Sequence, residues 1–162
     1  MCVYLESANG SVMAALSWLL GICSVNHYHI LANSPEERVC DLASVVLQHY
    51  SRSQIKLLLG PRQGLVMLRV RETVANSRFN AGEVLVTEVR LELEGQFGFG
   101  MVVGDCPHRA MAIALVDAAL AKGGAVATQL QLDLAEMDRQ LTKSQQHLQA
   151  LVNTTRVEFE RM

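Results

Sequence analysis

Residues 79–120 read FNAGEVLVTEVRLELEGQFGFGMVVGDCPHRAMAIALVDAAL, and the rest of the chain is organised around them. Leu85, Thr87, Val89, Leu91 and Leu93 alternate onto one face, while the other face starts with Val84 and Val86 and turns charged at Glu88, Arg90, Glu92 and Glu94. This period of two predicts a strand over 84–94, covered on both sides at one end and facing water at the other. Gly95-Gln96 suits a two-residue type II′ turn, after which Phe97, Phe99, Met101 and Val103 form the paired strand. Gly98 and Gly100 lack side chains, which marks a face where another group lies close, whether helix, partner chain or ligand. Gly104-Asp105-Cys106-Pro107 stops the strand and opens a helix, with Asp105 or Cys106 as N-cap and Pro107 in the first turn. Over 110–120 that helix carries one charged residue, Asp117, in a run of Ala, Met, Ile, Leu and Val. A helix apolar all round is buried all round. The Asp117 carboxylate therefore needs a buried partner, a backbone to cap, or a second chain or ligand to meet it, and a structural or intersubunit partner is the preferred reading.

Upstream, residues 64–71 alternate as a strand, with Val66, Leu68 and Val70 on one face and Leu65, Met67, Arg69 and Arg71 on the other. Arg69 and Arg71 are suited to holding phosphate or carboxylate, although a pair of this kind is more often the wet end of a half-exposed strand. Residues 55–59 form a shorter apolar piece closed by Gly60-Pro61, and 72–77 form a polar connection. Earlier still, Asn33-Ser34-Pro35-Glu36-Glu37 starts a helix with Ser34 as N-cap, Pro35 at N1 and Glu37 at N3. Val39, Leu42, Val45, Val46 and His49 carry it to about Tyr50. His27 and His29 make an HxH pair without further ligands nearby, so ordinary half-buried histidines outweigh a metal site. Residues 1–25 read as an N-terminal extension with one short helix over 11–20, docked on a partner or poorly ordered.

Downstream, Gly123-Gly124 ends the buried helix, and Leu130, Leu134, Met137, Leu141, Leu148 and Leu151 then step by threes and fours, with Ser144 interrupting the row between Leu141 and Leu148, through a C-terminal helical arm over about 128–162. Some 32 helical residues span about 48 Å, more than the diameter of a domain of this size. Either the helix breaks near Asn153-Thr154-Thr155 and folds back, or part of it packs on another subunit.

The chain of 162 residues is one domain by length, half hydrophobic and poor in aromatics, so its core is expected to be aliphatic. A net charge of −2 with both signs interspersed argues against a dominant basic face for nucleic acid. Cys2, Cys23, Cys40 and Cys106 are isolated, with neither zinc-ribbon nor disulfide-framework spacing, and imply free thiols in a reducing cytoplasm. The apolar run 12–25 precedes the first basic residue, Arg38, so it lacks the positive start of a signal peptide, and it is short for a membrane span. Arg109, one turn into the buried helix, makes the N-terminus of that helix a weak anion site. Cys106 and His108 need not face each other at a helix start, and no other nucleophile has a recognisable base beside it. The residues alone thus give an α+β domain: a small antiparallel sheet with a central hairpin, packed against a buried helix, with N- and C-terminal helices used for subunit association. They assign no catalytic residue and no metal ligand.

The runs 64–71, 78–88, 98–105 and 114–120, with ILANSPEE at 30–37 and TRVEFERM at 155–162, together resemble the PhnG family over about 26–162. That family supplies a subunit of the bacterial carbon–phosphorus lyase core complex. The first 25 residues have no counterpart in the pattern, and 72–77 lacks the glycine-rich sequence seen in some members. The resemblance implies a cytoplasmic subunit of a multi-subunit transferase with little activity of its own. It would act with PhnI-like and PhnH-like subunits and a PhnL-like ATP-binding protein to form alpha-D-ribose 1-methylphosphonate 5-triphosphate from ATP and methylphosphonate. A PhnJ-like subunit would later cleave the carbon–phosphorus bond with an iron–sulfur cluster. ATP is then a substrate of the complex, and no cofactor, nucleic acid or membrane is expected on this chain. The alternative is a stand-alone homo-oligomeric domain that binds a small phosphorylated ligand through Arg69, Arg71 and Arg109.

Overall fold

The computed structural model describes residues 27–72 and 74–155; the extension over 1–25, its helix over 11–20 and the last residues of the C-terminal arm lie outside them. Two helices come first, α1 (His27–Asn33) and α2 (Glu36–His49), followed by a single 3-10 turn at Arg52–Gln54. Three strands, β1 (Ile55–Arg71), β2 (Arg78–Leu93) and β3 (Gln96–Val103), precede two further helices, α3 (Pro107–Lys122) and α4 (Gly124–Thr154). The strands form one antiparallel sheet in the order β1-β2-β3. The fold is α+β.

Helix α3 lies on the inner face of the sheet, with α2 and the first half of α4 packed around it. Ala110, Ile113, Ala114, Val116, Ala118 and Ala119 are fully buried, against Val89, Leu91 and Leu93 of β2. Gly98 and Gly100 face this helix. A Cβ on Gly100 would collide with the Ala110 carbonyl and come within 2.9 Å of the Ala114 amide. One on Gly98 would strike the Ala114 carbonyl and lie 2.7 Å from the Ala118 Cβ. The spacing explains the match: two residues along a strand advance about 6.6 Å, and four along a helix advance about 6 Å. Two glycines on β3 therefore register with the small-residue stripe Ala110, Ala114 and Ala118. The sequence left helix, partner chain or ligand open for this bare face; the occupant is the chain's own helix. The aromatic positions of β3 point to the outer side, where Arg90 lies over the Phe99 ring at 5.7 Å.

Several boundaries differ from the sequence reading, each for a local reason. Residues 55–71 form one strand through Gly60-Pro61, with register irregularities between Leu57 and Leu59 and between Leu59 and Arg62 absorbing the interruption, and a third between Leu68 and Arg69. The β2–β3 turn is Glu94-Gly95, because Leu93 pairs with Gln96. Both turn residues have positive φ, 47° and 85°, which is the type I′ pattern and not II′. Lys122 and Gln54 both reach the Glu94 carboxylate, and Lys122 also lies over the Tyr50 ring, tying the turn to the end of α3. Ser34 does not cap α2: its amide bonds the Ile30 carbonyl at 2.9 Å, closing α1, and Pro35 takes the capping position without a side-chain bond. The C-terminal run is one helix of 31 residues, buried through Val126, Ala127, Leu130, Leu134 and Met137 and exposed from residue 142 onward.

The β1–β2 hairpin outruns β3, which pairs with β2 only from Val86 to Leu93. Residues 64–71 and 78–85 thus continue as a two-stranded arm. Leu65 is 65 % exposed, Met67 50 % and Phe79 49 %, so the apolar alternation seen in the sequence here is not buried within the chain. Two-stranded arms with wet apolar faces are marginal in isolation.

Candidate functional site

The one carboxylate of the buried helix α3, Asp117, gathers three donors from two other elements. Phe99 of edge strand β3 donates its amide to Oδ2 at 2.9 Å, His27 donates Nε2–H to Oδ1 at 2.9 Å, and the Tyr28 hydroxyl completes the set. The His27 and Tyr28 rings lie 4.3 Å apart. Asp117 therefore closes a polar position on the sheet edge and fastens α1 to α3. Burial by itself raises a carboxyl pKa, but here the bonds from His27, Tyr28 and the Phe99 amide outweigh it and hold Asp117 below its ordinary value. Burial, reinforced by the carboxylate it bonds, pushes the Tyr28 hydroxyl well above the usual phenol range.

Because the folded value of Asp117 lies below the unfolded one, its contribution to stability is complete above the ordinary carboxyl value and fades as pH falls through the folded value. The difference in unfolding free energy between the wild type and Asp117→Asn is expected to stay flat from about pH 7 to pH 5 and to shrink below about pH 4, measured by urea titration at each pH.

Arg109 serves a related purpose at the other end of α1. Its Nη2 lies within hydrogen-bond reach of the carbonyls of Leu31 and Ala32, left unbonded in the last turn of α1, at 3.1 and 2.7 Å, and of the Ser34 carbonyl just beyond the helix at 2.5 Å. Its Nε is buried without a hydrogen-bond partner. Arg109, read from sequence as a weak anion site at the helix start, thus braces the α1–α2 junction through Nη2. Arg109→Met is expected to cost about 1.5 to 3 kcal/mol and to speed amide exchange in α1 before the rest of the domain, as read by hydrogen–deuterium exchange.

Arg69 and Arg71 lie on the arm, opposite Asn80 and Arg78, on the face that also carries Leu65 and Met67. They do not converge with Arg109, whose guanidinium is turned to α1. Cys40 lines an apolar groove of about 470 Å³ with Ala43, Leu47, Pro61, Met111 and Leu115, between α2 and α3. Burial, followed by the nearby Glu36 and Asp41 carboxylates, raises the pKa of its thiol.

Thr87 was legible only as a polar residue in an apolar row. It is buried, donating to the Gly104 carbonyl at 2.6 Å and accepting from the Cys106 amide at 3.2 Å, which sets the loop that launches α3. His27 and Tyr28 were also missed as partners of Asp117, since a contact across 90 positions leaves no local pattern. Among the described residues, no three His, Cys, Asp or Glu side chains group as metal donors. No described helix is long and apolar enough to cross a membrane.

Fold and site together define a class: an α+β domain whose polar centre braces its own helices, and whose surplus surface sits on a hairpin arm and a helical arm. The chain belongs to the PhnG family, described as phosphonate metabolism protein PhnG, which it matches over residues 26–162. No curated protein matches it.

Proposed function

We propose that this chain is the PhnG-type subunit of a carbon–phosphorus lyase core complex and that it supports transfer of the ribose triphosphate of ATP onto methylphosphonate, with release of adenine. The family match over the whole described domain carries this reading. Its partners are PhnI-like, PhnH-like and PhnJ-like subunits and a PhnL-like ATP-binding protein. The chain contributes architecture to that transferase, and substrate chemistry lies mainly with the partners. Two features support an assembly role: the apolar hairpin arm, and the outer half of α4, where Leu148, Leu151 and Val152 stay exposed at helical spacing. The reading of a stand-alone binder of a phosphorylated ligand is weakened by the commitment of Arg109 to backbone carbonyls.

Adenine release from ATP and methylphosphonate, followed with the partner subunits in the presence and absence of this chain, tests the reading. Turnover is expected only in the complete mixture, and the isolated chain is expected to bind no ATP in calorimetry. Full turnover without the chain would overturn the proposal.

A further inference from the structure

Strand β2 is longer than the strand that covers it. Opposite Val86, β3 ends at Val103, and no described strand lies on the outer side of residues 78–85. The register shows which backbone groups face that gap. Leu85 turns its carbonyl outward to the Gly104 amide at 2.8 Å, so Glu83, two residues along, turns its amide and carbonyl to the same side. At the far end, the Glu72 amide bonds the Ser77 carbonyl at 3.0 Å. The adjoining pair Arg71–Arg78 is therefore one without mutual bonds, and Asn80 opposite Arg69 faces outward by the same alternation. The irregularity between Leu68 and Arg69 reconciles the two ends.

The two faces of the arm differ. Leu65, Met67, Arg69 and Arg71 share a face with Leu85, Glu83, Asn80 and Arg78, whereas Val66, Leu68 and Val70 share the other with Val84, Gly82 and Phe79. One face thus carries Arg69 and Arg71 towards the tip, and the other is apolar throughout.

Resting on the assembly reading above, we propose that the open edge of β2 takes an extended strand of a partner protein, continuing the line of β3 along residues 78–85. The incoming strand carries carboxylates on the arginine face and apolar side chains on the other. Outward-facing amide and carbonyl groups in a row select an extended backbone, and alternate side-chain positions supply the specificity. Charge argues against a second copy as occupant, since its own arm would bring arginines and not a row of acids. The outer edge of β1 is the less suited of the two, because Pro61 and two register irregularities interrupt it towards the body.

The test uses the full chain, tagged and co-expressed with its partner subunits. Glu83→Pro removes an outward N–H from β2 without removing a β1–β2 bond, and Met67→Pro does the same on the outer edge of β1. Wild type and Met67→Pro are expected to recover the partner equally, and Glu83→Pro is expected to recover about tenfold less with an unchanged melting temperature. Arg69→Glu with Arg71→Glu is expected to weaken recovery likewise, increasingly so at low salt. Hydrogen exchange on the wild-type complex supplies a reading independent of any variant: the Asn80 and Glu83 amides become protected. Lack of that protection, undiminished recovery by Glu83→Pro, or loss through Met67→Pro instead would overturn the proposal. So would arginine variants that lose inorganic phosphate binding yet assemble normally. Failure of the wild type to recover any partner would strike the assembly reading itself.

Discussion

Gly100→Ala is expected to leave little folded protein. The new methyl group would meet the carbonyl of Ala110, a backbone atom inside a fully buried helix, and the Ala114 amide at 2.9 Å. Neither yields as the end of a flexible side chain would. Relief requires moving α3 off the sheet, and with it the contacts of Ile113, Val116 and Val89. We expect a loss of more than about 3 kcal/mol, a large part of the about 5 to 15 kcal/mol that holds a domain of this kind together. Gly98→Ala, facing the Ala114 carbonyl and the Ala118 methyl, is expected to behave similarly. Gly64→Ala is the internal control: nothing lies within 4 Å of a Cβ there, and the change is expected to stay within about 0.5 kcal/mol. Soluble yield and denaturation midpoints compare the three.

Asp117→Ala is expected to cost about 2 to 4 kcal/mol, because the Phe99 amide, the Tyr28 hydroxyl and His27 lose their acceptor together. The damage should be uneven. Helix α1 loses its tie to α3 at one end while Arg109 still holds the other, so amide exchange is expected to rise first over residues 27–33, ahead of α3 and the sheet. Asp117→Asn retains one acceptor oxygen and should fall between alanine and wild type. Equal destabilisation by both variants would show that the charge, and not the geometry of acceptance, matters at this position.

The central hairpin and the buried helix were legible because their signals are local. The alternation of Leu85 to Leu93 and the unbroken apolar run after Pro107 each fix an element by its own period. The glycines announced a close approach but not by what, since β3 and α3 are joined through a loop and the sequence does not state which helix returns over which face. The turn moved by one residue because Glu94, an unusual residue at positive φ, is held there by Lys122 and Gln54, contacts that no local rule anticipates. Helix α1, seven residues long, is too short to show a period. For the polar centre, sequence isolated Asp117 as a carboxylate in need of partners, yet the donors lie across the fold. Arg109 illustrates a second kind of gap: its place at a helix start suggested an anion, and the carbonyls of Leu31, Ala32 and Ser34 that its Nη2 meets are some 75 to 78 positions away and leave no local sign.

Membership of a phosphonate-metabolising assembly is the proposal on which the roles given to both arms depend. Co-expression of the tagged full chain with PhnI-, PhnH- and PhnJ-like subunits, followed by affinity capture and gel filtration, measures this. We predict that it elutes with those subunits in a fixed ratio that survives dilution. A chain that elutes alone, folded and monomeric, with every partner present and soluble, would contradict the account.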